Sequence, residues 1–209
     1  MERIPRTATF ALTALIAVAW LLAVLSATSG QAALVMGFIP ARLSGVAVPF
    51  AAVPAFLTPL TSTLVHGGLL HLVFNLVIFL WCGAAVERVL GRGGLIALFL
   101  VGAYAAALAQ WAVDPASPVP MVGASGAISA VMGAFALSFG RAKRLTSSFT
   151  LNRWINIAWL LAAWVALQLM MGWLMRGQGF MIAIPAHIGG FAVGLLMQRP
   201  LLLWRYRTA

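Results

Sequence analysis

The chain has 209 residues, of which 63% are hydrophobic and 8% are charged, and its mean hydropathy is +1.04. Charged residues make up about a quarter of an ordinary soluble chain, and a soluble domain of this size cannot bury so much apolar surface. The composition therefore indicates an integral membrane protein, in which the net charge of +10 does not predict nucleic-acid binding. The single cysteine, Cys82, excludes an internal disulfide and any multi-cysteine metal or redox motif.

Six charge-free apolar runs predict six transmembrane helices, because about 20 apolar residues span a bilayer. The predicted helices lie at about 10–27, 64–86, 93–113, 121–140, 154–175 and 180–198. The first run could also suggest a signal peptide, but it is long for an apolar signal core and lacks a convincing cleavage site, so we interpret it as a helix. The sequence thus predicts a single all-α domain over residues 1–209, built as a six-helix transmembrane bundle.

A long external loop is predicted over about residues 28–63. The segment is apolar, yet Pro49, Pro54 and Pro59 interrupt it. Each proline removes a backbone donor and clashes with the preceding turn. A spanning helix is therefore excluded here, and we expect the segment to rest against the membrane interface or the protein.

The positive charges predict the orientation of the bundle. With the N-terminus in the cytoplasm, Arg42 and Arg176 lie outside, and the other eleven of the 13 Lys and Arg residues lie inside. These are Arg3, Arg6, Arg88, Arg92, Arg141, Lys143, Arg144, Arg153, Arg199, Arg205 and Arg207. The bias predicts two cytoplasmic termini and suits a bacterial inner membrane with anionic lipids.

Polar side chains in three of the predicted helices lie at similar depths. With a rise of about 1.5 Å per residue, Ser125 lies roughly 6 Å and His71 and His187 roughly 10 Å below the external boundary. Each alone has a structural explanation, such as a serine bonded to its own helix or a satisfied buried histidine. Their shared depth favours one site, since polar groups within membrane helices tend to mark function.

Ser125 and His187 could form a nucleophile and its general base, because a serine hydroxyl needs a base to accept its proton. His71 and Asn75 are four residues apart and project from one helical face. They could donate hydrogen bonds to an oxyanion, together with the Ser125 backbone N–H.

The acidic residues are too few and too distant for a triad. Glu87 falls at the cytoplasmic end of the second helix, Asp114 in an external loop and Glu2 at the N-terminus. None matches the depth of His187, so we predict a Ser-His dyad without a carboxylate.

Small residues recur every four positions on two of the helices. Such stripes allow close helix crossing, which would bring Ser125 and His187 together. The stripes are Ser125, Ser129 and Gly133 on the fourth helix, and Ala186, Gly190 and Gly194 on the sixth.

Three ordered motifs resemble those of the rhomboid intramembrane serine proteases. Residues 66–75 (HGGLLHLVFN) resemble the family pattern HxxxxHxxxN, and residues 123–126 (GASG) resemble its GxSG nucleophile motif. Residues 186–194 (AHIGGFAVG) resemble its AHxxGxxxG signature. The resemblance covers about residues 60–200.

The resemblance implies a role for each of these residues. Ser125 is the expected nucleophile and His187 its general base. His71 and Asn75 are expected to contribute to the oxyanion site, and His66 to support the first external loop. The glycines of the motifs have an expected structural role; they are Gly123, Gly126, Gly190 and Gly194.

The implied activity is that of an intramembrane endopeptidase that cleaves single-span membrane proteins near the external membrane face. A peptide carbonyl inside an intact helix is shielded, so we expect local unwinding of the substrate, which Gly or Pro near that face would favour. The resemblance implies a small residue before the scissile bond. Transmembrane proteins and membrane lipids are the expected partners, no metal or cofactor is expected, and the oligomeric state stays open.

Two positions depart from the family pattern. Bacterial relatives often carry a tyrosine four residues after the nucleophile, where its ring stacks on the catalytic histidine, and this chain has Ser129. We predict that Phe191, one turn after His187, holds the histidine instead. Some relatives have a Trp-Arg pair in the first external loop, where this chain has Leu57 and Thr58.

Two other functional classes use the same polar residues. A catalytically silent rhomboid-like protein would bind membrane helices and direct their folding or degradation. A small transporter would use the polar residues as a pathway, but the sequence lacks broken helices in repeated halves and a carboxylate in mid-membrane.

Overall fold

The computed structural model describes residues 8–140, 144–174 and 182–207. Within these ranges the regular secondary structure is helical, apart from one isolated bridge between Phe38 and Met121. The α-helices are α1 (Ala8–Leu25), α2 (Ser29–Met36), α3 (Pro40–Leu43), α4 (Thr58–Thr61), α5 (Leu69–Val113), α6 (Ser125–Phe139), α7 (Phe149–Leu174) and α8 (Ile184–Arg205). Short 3-10 turns flank α4 at Ala55–Leu57 and Ser62–Leu64.

Some of the predicted features lie outside the described residues. They are the charges of Glu2, Arg3, Arg6, Arg141, Lys143 and Arg176, the predicted helix end at 175 and the predicted helix start at 180.

Four helices, α1, α5, α7 and α8, are long and apolar enough to cross a membrane, and α6 is a shorter apolar helix of 15 residues. The prediction of an all-α integral membrane protein is thus confirmed for the described residues. The number of crossings and the orientation stay predictions.

The 45 residues of α5 contain both the second and the third predicted helices. Gly91, with φ 75° and ψ 171°, divides α5 into a first arm (69–90) and a second arm (92–113). The sequence predicted a connection over residues 87–92, and the structure reduces it to this one residue. Glycine adopts such a positive φ without the strain of a side chain, and Arg205 of α8 donates to the carbonyls of Glu87 and Arg88 at the end of the first arm.

Three helices begin later than predicted, and one of them is α8, which begins at Ile184 although the prediction included residues 182 and 183. The helix predicted from residue 64 begins at Leu69, because Ser62–Leu64 forms a 3-10 turn and Val65 is extended. The helix predicted from residue 121 begins at Ser125, since Met121 pairs with Phe38. Hydropathy marks where the chain is apolar, whereas local hydrogen bonds mark where a helix begins.

The α1 helix begins and ends two residues earlier than the helix predicted at 10–27. Two further differences extend helices beyond their apolar runs. The fifth predicted helix begins earlier, at Phe149, because the Ser148 hydroxyl caps it by accepting a hydrogen bond from the Leu151 N–H at 3.3 Å. The sixth continues past residue 198 to Arg205. The predicted loop at 28–63 is also partly helical, since α2, α3 and α4 fall within it.

The centre of the bundle is a close packing of α8 against α6 and the second arm of α5. A Cβ added at Gly190 would collide with the Gly126 carbonyl, and one added at Gly194 would collide with the Ala130 carbonyl. On α6 the contacting face therefore includes Gly126 and Ala130, each one residue after a serine of the predicted stripe. It also includes Gly133 of that stripe, where an added Cβ would collide with the Phe191 carbonyl. Small residues allow backbones to approach this closely.

Hydrogen bonds define the two ends of the bundle. Glu87 accepts hydrogen bonds from the backbone N–H groups of Ala8 and Thr9 at 2.8 and 2.9 Å, and from the Thr9 hydroxyl at 2.6 Å. Arg205 also reaches the Glu87 carbonyl. The start of α1, the end of the first arm and the end of α8 therefore meet at one end, and the starts of α5, α6 and α8 lie at the other.

Candidate active site

The side chains of Ser125 and His187 meet at the end of the bundle where α6 and α8 begin. The distance between Ser125 Oγ and His187 Nε2 is 2.8 Å, although 62 residues separate them along the chain. Both residues are half-buried. The close crossing of α6 and α8 fixes this distance, because each side chain is one residue away from a glycine or alanine of the packed interface.

A second helix, α7, contacts the other side of His187. The Nδ1 atom of His187 lies 3.0 Å from Gln168 Oε1. The His187 backbone carbonyl accepts a hydrogen bond from Trp164 Nε1 at 3.2 Å. The Trp164 ring stacks on Phe191 with a centroid distance of 4.6 Å and an interplanar angle of 8°. His187 is therefore bonded to two helices, α6 and α7.

His71 and Asn75 lie on the first turns of α5 beside the loop that precedes Ser125. A Cβ added at Gly123 would lie 2.6 Å from His71 Cε1 and 2.7 Å from its Nε2, and Gly123 has a φ of 113°. Glycine is needed there for space and for conformation. Asn75 Nδ2 donates one hydrogen bond to the His71 carbonyl at 2.8 Å, and an amide nitrogen carries a second hydrogen that can be donated to a ligand.

His66 contacts this same loop before Ser125, and its expected support of the first external loop stays a prediction. Its Nε2 lies 3.5 Å from the Ala124 backbone nitrogen, and its ring meets that of His71 edge-on at 5.1 Å. Burial, and secondly the nearby His71, lower the pKa of His66 to about 4. The ring is therefore neutral near pH 7, as Nε2 must be to accept the Ala124 N–H.

Two further backbone contacts hold this loop against the segment between α1 and α5. The Gly123 N–H donates to the Ser62 carbonyl at 2.9 Å, and Phe38 and Met121 exchange a pair of backbone hydrogen bonds. Ser125 is the first residue of α6. The first N–H groups of a helix have no acceptor within it, so the Ser125 N–H makes no hydrogen bond inside α6.

The sequence profile described as the Rhomboid domain matches residues 54–204. The chain belongs to the rhomboid family. The Rhomboid protease GlpG of Pectobacterium atrosepticum is 35% identical over 141 residues, which cover 66% of this chain and 45% of that protein. The chain thus spans less than half the length of this curated relative. The resemblance drawn from the three motifs is confirmed at the level of the family.

In this rhomboid chain the Ser129 hydroxyl is bonded within its own helix and not to His187. It donates to the Ser125 carbonyl at 2.8 Å, one turn earlier on α6. The Phe191 ring stacks on Trp164, which bonds the His187 carbonyl, and the imidazole itself is bonded to Gln168. That Phe191 holds His187 stays a prediction.

Sequence reasoning missed Gln168. One signal was available, because a buried amide in an apolar membrane helix costs free energy unless it is bonded. The amide is 7% exposed. No motif contains it, and its partner depends on how α7 lies against α8, which the sequence does not indicate.

The second departure of this rhomboid chain lies in the segment before α5. Thr58 is buried and donates its hydroxyl hydrogen bond to the Ala55 carbonyl at 2.6 Å. Leu57 is exposed. Arg42, from α3, donates to the Val53 carbonyl at 2.7 Å, and Thr61 donates to the Met36 carbonyl at 2.7 Å. The Thr61 bond joins α4 to α2, and the Arg42 bond joins α3 to the segment before α4, without the Trp-Arg pair.

Proposed function

We propose that this rhomboid protein is an intramembrane serine endopeptidase that cleaves single-span membrane proteins near the external membrane face. The observation that carries the proposal is the 2.8 Å distance between Ser125 Oγ and His187 Nε2, on two apolar helices. A nucleophile and a base within hydrogen-bonding reach are the minimal requirement for acyl transfer. The relative named a rhomboid protease supports the same chemistry.

The proposed reaction begins when Ser125 Oγ attacks the substrate carbonyl carbon while His187 Nε2 accepts the hydroxyl proton. Negative charge develops on the carbonyl oxygen, where His71, Asn75 and the Ser125 N–H are proposed to donate hydrogen bonds. His187 then gives its proton to the leaving amine nitrogen. Water, deprotonated by His187, attacks the acyl-enzyme and regenerates the Ser125 hydroxyl.

The proposed substrates are transmembrane segments that unwind readily. A carbonyl within an intact helix is bonded to an N–H four residues later and is shielded by side chains. Glycine and proline weaken helices by about 1 and 3 kcal/mol relative to alanine, so their presence near the external face would expose the scissile bond. A small residue before this bond is proposed from family membership.

The proposed setting is a bacterial inner membrane with both chain termini in the cytoplasm. A single domain crosses this membrane six times, and its basic cytoplasmic side contacts anionic lipids. Ser125 and His187 then open to the external side, because they lie at the opposite end of the bundle from Ala8 and Arg205.

Labelling with a fluorophosphonate tests the proposed nucleophile directly. We expect covalent capture of the purified protein in detergent, loss of labelling in Ser125→Ala and strong reduction in His187→Ala. Ser129→Ala is the matched control, since that hydroxyl lies one turn away on the same helix and bonds its own backbone. Absence of labelling in the folded protein would favour a silent helix-binding protein.

Cleavage of a single-span substrate in liposomes tests the unwinding step. Replacing the Gly or Pro near the external face of a cleaved segment by Leu is expected to reduce cleavage strongly. Unchanged cleavage would contradict the need for local unwinding while leaving the role of Ser125 intact.

A further inference from the structure

Gln168 contacts the ring nitrogen of His187 that does not face Ser125, which is where a residue that orients the proposed base would bind. Its Oε1 lies 3.0 Å from His187 Nδ1, on the opposite side of the ring from Ser125. The side chain is 7% exposed, so water does not compete freely for this contact.

The contact with Gln168 selects a tautomer of His187, whereas the Ser125 hydroxyl could either donate or accept. An amide oxygen can only accept, so a bond to Gln168 Oε1 requires the proton on Nδ1. The lone pair is then on Nε2, which faces the Ser125 hydroxyl and can accept its proton. With the opposite tautomer, Nε2 would donate to Ser125 and could not act as a base.

Neighbouring contacts make α7 a fixed support for this bond. Trp164 lies one turn before Gln168 on the same face, and it bonds the His187 carbonyl while stacking on Phe191. The backbone and the ring of His187 are therefore both anchored to α7. Ser129, at the position of the aromatic residue in many relatives, donates its hydroxyl hydrogen bond to the Ser125 carbonyl of its own helix.

A neutral amide suits this place better than a carboxylate would. An ionised acid buried in an apolar bundle carries a large desolvation cost, whereas an amide needs only hydrogen-bond partners. The amide orients the imidazole without adding a charge to the membrane interior.

We propose that Gln168 is a positioning residue that holds His187 with Nδ1 protonated and Nε2 free to accept the Ser125 proton. The inference rests on the proposed function, in which His187 is the general base. It adds a third member from α7 to the dyad.

The test compares two substitutions of Gln168 that differ in hydrogen bonding. Gln168→Met keeps the length of the side chain and removes the acceptor oxygen, whereas Gln168→Glu keeps an acceptor oxygen. For Gln168→Met we expect the rate of fluorophosphonate labelling and kcat for a single-span substrate to fall on the order of 10- to 100-fold, with KM little changed, because tautomer and orientation matter in the chemical step. Gln168→Glu is expected to recover most of this loss in rate but to lower thermal stability, because a buried carboxylate carries a desolvation cost.

Asn156 provides a matched control on the same helix. It is a buried amide that donates to the Asn152 carbonyl, three turns from Gln168. Asn156→Leu is expected to leave labelling and kcat within about twofold of the starting protein, even where it lowers thermal stability. An equal loss of rate in Asn156→Leu would assign the effect to general destabilisation of α7 and overturn the proposal.

A spectroscopic measurement separates this inference from the proposed function. In ¹⁵N-histidine-labelled protein, the imidazole signals that vanish in His187→Ala report its tautomer, and we expect a protonated Nδ1 that becomes mixed with protonated Nε2 in Gln168→Met. An unchanged tautomer, or a wild-type labelling rate in Gln168→Met, would overturn the role of Gln168 while labelling of Ser125 still supported the protease. Failure to label Ser125 in the folded starting protein would remove the proposed function itself.

Discussion

His66 shows how one ring nitrogen can support the backbone that leads to Ser125. The ring is buried and its Nε2 accepts the Ala124 N–H only while it is neutral. Because the folded pKa is about 4, below the ordinary 6.5, the unfolded chain binds more protons than the folded protein between these values. The contribution of His66 to stability is therefore lost as pH falls from 6.5 toward 4.

This linkage predicts the behaviour of His66→Gln, whose amide oxygen can accept the same N–H but does not titrate. When the pH is lowered from above 6.5 to near 4, the unfolding temperature of both proteins in detergent is compared. We expect the unfolding temperature of His66→Gln to fall less than that of the starting protein. His71 and His187 are retained in both proteins, so the difference isolates His66. The same pH dependence in both would show that the buried ring does not contribute.

The sequence is most informative about single residues where several of them form a motif. Ser125, His187, His71 and Asn75 stand in fixed spacing on helices, and their candidate roles follow from that spacing and from the family resemblance. Gln168 could not be found in this way, because a single amide gives no spacing pattern and its partner depends on how α7 lies against α8.

At the scale of helices, Glu87 serves as a cap for α1. Its carboxylate receives three hydrogen bonds from Ala8 and Thr9, at the helix N-terminus where negative charge is favoured. The sequence placed Glu87 correctly at an end of its helix, away from His187. It could not indicate that the start of α1 would meet it there, since that contact spans 79 residues.

Glu87→Gln tests this cap, because it keeps the shape, removes the charge and replaces one of the two acceptor oxygens by an NH2 group, which cannot accept a backbone N–H. Hydrogen bonds to a charged group contribute about 1.5–3 kcal/mol each, so we expect a loss of about 2 kcal/mol in unfolding free energy. The measurement is unfolding in mixed micelles by increasing fractions of denaturing detergent. Asp114→Asn removes a charge from an exposed residue and should have little effect; equal losses would show that net charge, and not the cap, is responsible.

The crossing of α6 and α8 allows a second test at this scale. A Cβ at Gly194 would collide with the Ala130 carbonyl, and overpacking of this kind costs about 1–3 kcal/mol. We expect Gly194→Ala to lower the unfolding temperature and, by widening the crossing, to slow fluorophosphonate labelling of Ser125.

Gly30→Ala is the control for this crossing, since Gly30 lies in α2 with no atom within 4 Å of the added Cβ. It is expected to keep both stability and labelling. Normal labelling of Gly194→Ala would mean that the distance between Ser125 and His187 does not depend on this packing.

On the scale of the whole molecule, the candidate active site lies at one end of the bundle, and the contacts of Glu87 and Arg205 lie at the other. Ser125, His187 and His71 lie where α5, α6 and α8 begin, whereas Glu87 and Arg205 lie where the first arm and α8 end. The charge count predicts which end is cytoplasmic. The helices alone do not, because a bundle inserted in either direction buries the same apolar surface.

Cysteine accessibility tests six crossings with an external active site. Two single-cysteine variants are made in a Cys82→Ala background, which removes the buried thiol. Ala116 lies between α5 and α6, Ser147 lies between α6 and α7, and both are exposed. The variants are Ala116→Cys and Ser147→Cys. An impermeant maleimide added to intact spheroplasts is expected to react with Ala116→Cys and to reach Ser147→Cys only after permeabilisation. The α6 helix has only 15 residues, fewer than the roughly 20 of an ordinary crossing. Labelling of both cysteines from one side would mean that α6 does not cross, and the proposal of six crossings would have to be abandoned.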